Sequence, residues 1–417
     1  MANFYSVPPE IIEQIILDLD PLDVARIAQC SSLFRSLVYS PTSQALWRTL
    51  YLDQPLDDPR ICVSQQGKPR TNIDWKGELQ RLIRARTVLH DTSLCRPGER
   101  LAILKTIVDM VSYVPPLSDP EMYDDVSQNL LWGAALLRGG KFLEEVGPSA
   151  DPAERQLCAR LHTYFGVTHA DAKPPARVQS RACVYDMRNY RWDNEFGPFD
   201  SQDCVDWVHL QALHHVVSMH VVDLSEDEDF VFAIFPMSLP FTQIVMPGGV
   251  NPDEVEDWAG VGGLWRVSFC FCDHRDLIKY NQSSIADGAA LDPSIFEQPS
   301  FGEVFRTLDV SLRVMRTHTD PNHPRRPIIF FAGEMAGTTS TITGQVKMTR
   351  DDQVQWHFVS GDHGNAIWSS QGVHVGGLQS SFGVLGAWTT IFHDDDDPVG
   401  PFWLRRRTVS SDTVMPH

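Results

Sequence analysis

Three groups of residues have types and spacings that could do chemistry. Cys270, Cys272 and His274 share one face if residues 268–274 form a strand, since side chains alternate across a strand. Thiolate and imidazole are zinc ligands, but a spacing of two along one strand is not that of a zinc knuckle, and no second cysteine pair follows. Small thiols packed under a sheet are the plainer reading. His214, His215 and His220 fall within residues 205–222, where the pattern predicts a helix. His214 and His220 do not face one another on a helix. The His-Glu-x-x-His order is missing, as are a Gly-x-Ser-x-Gly elbow and a Gly-x-x-x-x-Gly-Lys phosphate loop. The expectation is of no catalytic residue, no metal and no cofactor. The third group is the run Asp394, Asp395, Asp396 and Asp397. It reads as a solvated hairpin tip or as a patch for a basic substrate.

Composition narrows the partners. The chain has 417 residues, enough for two or three domains, and a formal net charge of −19. Such an acidic chain repels phosphate backbones and anionic membranes, so neither nucleic acid nor membrane is expected as a partner. No stretch approaches the ~20 apolar residues of a membrane span. The start, Met1-Ala2-Asn3-Phe4-Tyr5, has no basic cluster followed by an apolar run and does not read as a signal peptide. The eight scattered cysteines fit reduced, cytoplasmic or nuclear usage.

The elements that must position these groups change along the chain. Residues 8–50 read as short helices. Pro8 and Pro9 open the first, and Ile11, Ile12, Ile15, Ile16 and Leu19 form its apolar stripe. Asp20 caps a second with Pro21 at its first position, and Ser31 or Ser32 caps a third. Pro41 ends that one, and a last turn carries Leu46, Trp47 and Leu50. Residues 53–72 read as a polar linker. Helices are predicted over 73–89, 99–114, 120–137 and 152–165.

Near Lys173-Pro174-Pro175 the composition changes to short apolar runs split by Gly, Pro, Asn and Asp. Strands are predicted at 182–185, 230–235, 265–272, 304–314, 328–331, 342–348, 354–359, 366–368, 373–375, 384–392 and 402–404. Asp351-Asp352 and Gly361-Asp362 read as hairpin tips. So many short strands suggest a closed sheet or a sandwich. Gly263-Leu264-Trp265-Arg266 has the Gly-x-Trp shape that begins the first strand of lipocalin-like barrels, where the Trp plugs one end, and Gly386-Ala387-Trp388 repeats it. Acidic clusters at 226–229, 253–257 and 394–397 are all expected in rim loops.

The N-terminal residues resemble an F-box over 4–52. Val7-Pro8-Pro9-Glu10 matches the opening element. Ile11-Ile12 and Ile15-Ile16 match the paired aliphatics, and Leu19-Asp20-Pro21 leads into the second helix. Cys30-Ser31-Ser32-Leu33-Phe34-Arg35-Ser36-Leu37 and Leu46-Trp47-Arg48-Thr49-Leu50 match the later elements. Cys30 stands for the usual Val and Ser32 for the usual basic residue. Residues 174–404 are similar to the C-terminal region of fungal, mushroom-type F-box proteins, on stretches such as Glu256-Asp257-Trp258-Ala259-Gly260-Val261 and Gly400-Pro401-Phe402-Trp403. A fainter likeness runs to animal F-box-only receptors ending in a β-barrel.

The resemblance implies an α+β chain. Its expected parts are a three-helix F-box (4–52), a linker (53–72), a helical region (73–173), an antiparallel β-rich recognition domain (174–410) and a flexible tail (411–417). It implies binding to a Skp-family adaptor, and through it to a cullin. Adaptor contacts are expected at Pro8, Glu10, Ile11, Ile12, Ile15, Leu19, Pro21, Leu22, Val24, Ile27, Leu33, Phe34, Leu37, Leu46 and Trp47. The chain would be the non-catalytic substrate receptor of a Skp–cullin–F-box ubiquitin ligase, with Asp394, Asp395, Asp396 and Asp397 as the candidate substrate contact. A module of roughly 45 residues cannot bury all its apolar side chains alone, which agrees with a partner on its surplus face. The alternatives are an F-box protein acting with the adaptor outside a ligase, and a lipocalin-like small-ligand binder.

Overall fold

The computed structural model describes residues 7–40, 44–119, 125–139, 141–145, 151–222, 235–247, 251–283 and 289–407. The helical part holds α1 (Pro9–Leu17), α2 (Pro21–Cys30), α3 (Ser32–Tyr39), α4 (Gln44–Leu52), α5 (Trp75–His90), α6 (Arg100–Ser112), α7 (Gln128–Leu137), α8 (Lys141–Glu144), α9 (Pro152–Phe165), α10 (Pro174–Val184) and α11 (Trp207–Val221). The strands are β1 (Gly263–Cys272), β2 (Glu303–His318), β3 (Ile328–Met335), β4 (Ser340–Met348), β5 (Val354–Asp362), β6 (Asn365–His374), β7 (Val384–Thr390) and β8 (Gly400–Arg406), with α12 (His274–Asn281) between β1 and β2. Neighbouring strands pair antiparallel, and β1 pairs β8, so the sheet closes into an eight-stranded barrel. Of the closed sheet and the sandwich that the strand pattern left open, the closed sheet forms, which leaves the barrel no unpaired edge.

Local chemistry sets the helix ends. The Asp20 carboxylate accepts from the Leu22 N–H at 2.9 Å, and Pro21 supplies the first position of α2. The Ser31 hydroxyl accepts from Leu33 and Phe34 and starts α3. Asp151 and Pro152 start α9, and Gly166 stops it with φ +107°, which suits a residue without a Cβ. In the barrel the β5–β6 hairpin turns at His363 and Gly364, both with positive φ, one step past the Gly361-Asp362 tip read from sequence. The strand candidates 366–368 and 373–375 merge into the single strand β6, which ends one residue short of Val375.

The change at Lys173 does not open the sheet. Pro174 and Pro175 begin α10, residues 182–184 are its last turn, and the strands start at Gly263. A short apolar run cannot be told from a buried helical segment by periodicity, and here the prolines at the helix start decide. Of the run 230–235 only Phe235 is described, outside any strand; residues 226–229 and 411–417, and Pro41, also lie outside the described residues. Residues 53–72 form no helix or strand longer than a bridge, yet they are packed rather than free. Leu56, Asp57, Cys62, Ser64 and Gln65 are buried. Asp57 accepts from the Gln128 and Asn129 N–H groups and from the Ser127 hydroxyl, and so caps α7 from far away in sequence.

The helices and barrel share one core. α11 is buried nearly all round, from Trp207 to Ser218. One side packs on α9 and α10, the other on the outer faces of β7 and β8. The Leu378 N–H donates to the Gln65 carbonyl at 2.8 Å, and Arg326 donates to the carbonyls of Gln66 and Pro252. Both tie residues 53–72 to the barrel. We therefore expect a truncated chain beginning at Val178 to lose its native state, because it strips α9 from α11 and leaves Trp207 without Tyr164 and Gln211 without His162. Near-UV circular dichroism and a melting scan check this; a soluble chain with the full-length melting temperature would show that the barrel half folds alone.

Burial also pushes the imidazoles of His209, His214 and His374 down to about 4. In the unfolded chain they titrate near ~6.5. Between these values the unfolded state binds more protons, so stability falls as pH drops through that window and gains nothing above it. The melting temperature should be flat above about pH 7 and fall steadily below about 6.5. His214→Gln should make that fall shallower; an unchanged slope would place the titration elsewhere.

Candidate functional site

Among the described residues, two surfaces group exposed apolar side chains that bear on function. The first is the N-terminal helical face. Ile11 and Ile15, one turn apart on α1, are 52% and 46% exposed. Pro8 and Glu10 are exposed beside them, and Leu19, Leu22, Ile27, Leu33, Phe34 and Leu37 are half-buried. Ile12, Pro21, Val24, Leu46 and Trp47 instead point into the chain's own core. The Trp47 indole donates to the Val38 carbonyl at 2.9 Å and Tyr51 meets Trp75 edge-on, so α4 anchors the module onto α5. Asp20 pairs with Arg86 at 2.9 Å across the same junction. The fifteen-residue set expected from sequence is thus split by burial into an outward group and an inward group.

The second surface is one mouth of the barrel. Antiparallel register gives each strand one inward parity. Trp265, Phe331, Trp356, Phe358 and Phe402 meet across the interior, with Trp265 and Trp356 centroids 5.2 Å apart and Phe358 and Phe402 also 5.2 Å apart. One end is sealed. The Trp265 indole donates to the Val261 carbonyl at 2.8 Å. Arg406 lies 5.6 Å from its ring and donates to the carbonyls of Gly260 and Gly262. Trp265 therefore plugs an end as its Gly-x-Trp setting predicts. Trp388, in the repeated Gly-x-Trp, sits at the opposite end.

At that open end the same inward parity continues to Phe269 and Phe271 on β1, Trp368 on β6 and Trp388 on β7. Trp368 and Trp388 meet at right angles, 5.3 Å between centroids, and Phe271 stands 6.5 Å from Trp388. The Trp388 indole donates to the Cys270 carbonyl at 3.0 Å, which fixes its ring. Trp368 remains 39% exposed, and Val304, paired with Phe271, 42%. Arg306 holds its guanidinium 5.8 Å from the Phe271 centroid. This basin was not named from sequence. Its signal was the alternation Trp265-x-Val267-x-Phe269-x-Phe271, apolar past the point where a closed core needs filling.

The acidic run lies in the β7–β8 loop at this mouth. Asp394, Asp395 and Asp396 are exposed. Asp397 turns back, its carboxylate accepting from the Thr390 hydroxyl and the Asp394 N–H, so it shapes the loop. The 253–257 cluster lies at the sealed end. Asp253 pairs with Arg325 and Arg326, and Asp257 accepts from the Val261 and Gly262 N–H groups.

The remaining chemical groups are structural. Cys270 and Cys272 face outward under α10; burial pushes both thiols up, Cys272 to about 12. His274 is exposed and bonds the Asp396 carbonyl at 2.7 Å, apart from both. Among the described residues no group of three or more His, Cys, Asp or Glu could hold a metal ion. His214 donates to the Met237 carbonyl and His215 bridges Ser180 and the Asp171 carbonyl. His220 meets Glu303 at 3.2 Å, where Arg181 also pairs with that buried carboxylate at 2.6 Å. Burial alone would raise Glu303, but the bonds from His220 and Arg181 hold it below its ordinary value. No described helix is long and apolar enough to cross a membrane.

No curated protein and no solved structure matches the chain. The F-box domain family matches residues 4–43, which span α1 to α3, the helices that present Ile11 and Ile15. The N-terminal helices of this chain are an F-box domain, set ahead of a closed antiparallel β-barrel.

Proposed function

We propose that this chain is the substrate-receptor subunit of a Skp–cullin–F-box ubiquitin ligase, working in the cytoplasm or nucleus. The observation that carries the reading is the apolar outward face of an F-box domain, with Ile11 and Ile15 open to solvent. F-box domains generally bind Skp-family adaptors, which link to cullins. Leu19, Leu22, Ile27, Leu33, Phe34 and Leu37 extend that face as half-buried neighbours. Ile12, Pro21, Val24, Leu46 and Trp47 support it from beneath. The chain itself transfers no ubiquitin in this reading: it holds a target near the conjugating enzyme and raises its effective concentration. The barrel takes the substrate side because loops on a rigid scaffold are where binding residues concentrate, and its mouth lies among the β1–β2, β3–β4, β5–β6 and β7–β8 loops.

The adaptor contact is tested by co-expression with a Skp-family adaptor. Ile15→Asp leaves the folded chain within about 0.5 kcal/mol of its stability, since the site is exposed. It should nevertheless weaken adaptor binding by roughly 3 kcal/mol, about two orders of magnitude in Kd, by placing an unpaired charge in an apolar contact. Ile12→Asp, on the buried side of the same helix, should unfold the module. Unchanged complex yield with Ile15→Asp sinks the adaptor reading, and adaptor without cullin in the purified complex points to a role outside a ligase.

A further inference from the structure

The receptor reading gives the barrel a partner without saying what chemistry it recognises. We propose that the Trp368–Trp388 corner of the open mouth is a subsite for a lysine or arginine side chain, presented by a basic segment of the bound protein. The inference rests on the receptor reading only for who supplies the segment; the binding belongs to this chain alone.

At the sealed end the aromatic interior is capped by Arg406 across Trp265. At the open end the aromatic side chains run on to the surface, and among the described residues no cation caps Trp368. Two indoles at right angles, 86° between planes, enclose a corner whose walls are ring faces, against which a cation can lie. The faces of indole rings carry negative electrostatic potential, so a cation is held there more firmly than an apolar group of equal size. The mouth already accepts one guanidinium in this way, because Arg306 lies over Phe271 on the β1–β2 side. No carboxylate of a described residue lies within ion-pair reach of Arg306, so the aromatic face itself suffices as its partner among them. The Trp368 corner, on β6 and β7, is the half of the mouth that this arginine does not serve.

Charge selects the same occupant. β7, which carries Trp388, runs directly into the loop of Asp394, Asp395 and Asp396, all exposed. Asp362, at the end of β5, stands exposed at the same rim. Asp397 is occupied in shaping the loop, which keeps its three neighbours turned outward. An anionic or phosphorylated segment would meet this rim unfavourably, whereas a basic one is drawn in and then desolvated against the indoles. The two parts of the site have different tasks: the carboxylates set the rate of encounter, and the indoles hold the side chain.

The test uses the purified full chain and a fluorescent peptide of alternating glycine and arginine, read by anisotropy. The same peptide with citrulline for arginine keeps size and hydrogen bonding but removes charge. Trp368→Ala should weaken the arginine peptide by about tenfold, the scale of a partly desolvated cation–aromatic contact. Trp368→Phe should restore most of the loss. Met315→Ala, an exposed apolar residue elsewhere on the barrel wall, should leave affinity unchanged. Asp394→Asn with Asp395→Asn and Asp396→Asn should slow association and flatten the salt dependence while the off-rate stays near that of the parent chain. The proposal is overturned if Trp368→Ala binds as the parent does, if citrulline peptide binds as tightly as arginine peptide, or if no binding is seen. None of these outcomes touches adaptor co-purification, so a failed subsite and a failed receptor are told apart.

Discussion

The arrangement depends on α11, a helix that has no side to give to water. Leu210, Leu213, His214, Val217 and Ser218 are buried on one face, and His209, Ala212 and His215 are buried off it. A helix apolar all round must be covered all round. α9 and α10 cover one side, and the outer faces of β7 and β8 cover the other. The polar atoms trapped with it each have a partner: Met237 for His214, Ser180 and Asp171 for His215, Glu303 for His220. An unpaired polar group there would cost a few kcal/mol, so these contacts fix how the helical layer sits on the barrel.

The barrel's wall is covered by α11 at β7 and β8, while Met315 on β2 stays open to solvent. Its inner face is aromatic and filled at the middle; one end is sealed by Trp265 and Arg406. Glycines make the filling possible. At Gly344 a Cβ would come within 2.6 Å of both Phe331 and Phe358, so the small residue is room reserved for two rings. Two apolar places left open are the barrel's mouth and the bare edge of α1. The same principle produces both surfaces: each is an apolar side chain set at the end of a filled core with no layer laid over it.

Much of this was legible in the residues. Asp20-Pro21 and Ser31 announced helix starts that the caps realise, and seven of the eight strands were read within a few residues of their bounds, β6 being split in two. The Gly-x-Trp at Gly263 located the first strand and its plug. What was hidden is long-range. Nothing local to residues 53–72 says that Asp57 caps a helix starting at Gln128. The run Ala182-Cys183-Val184-Tyr185 suits a strand by composition and becomes a helix end because Pro174 and Pro175 begin a helix and α11 packs beside it. On the adaptor side, the pattern marks which residues are apolar, but only packing against α4 and α5 decides that Ile12 turns in and Ile15 turns out. The basin at the mouth needs the parity of β1, β6 and β7 together, which a single sequence does not supply until the strands are paired.

The seam between β1 and β8 has a consequence for how the chain reaches this state. Trp265 pairs with Arg406 and Phe269 with Phe402, so the barrel's first strand waits for its last. Contacts this far apart in sequence form slowly, because a long loop must close before any bond rewards it. During synthesis β1 emerges with Cys270, Phe271 and Val267 on an unpaired edge, and stays so until residues 400–406 leave the ribosome. The helical layer, made of nearer neighbours, is complete earlier and waits for β7 and β8, the strands that α11 covers. The order of the chain thus works as a sequence in time: helices first, then an open curved sheet, and closure as the final step.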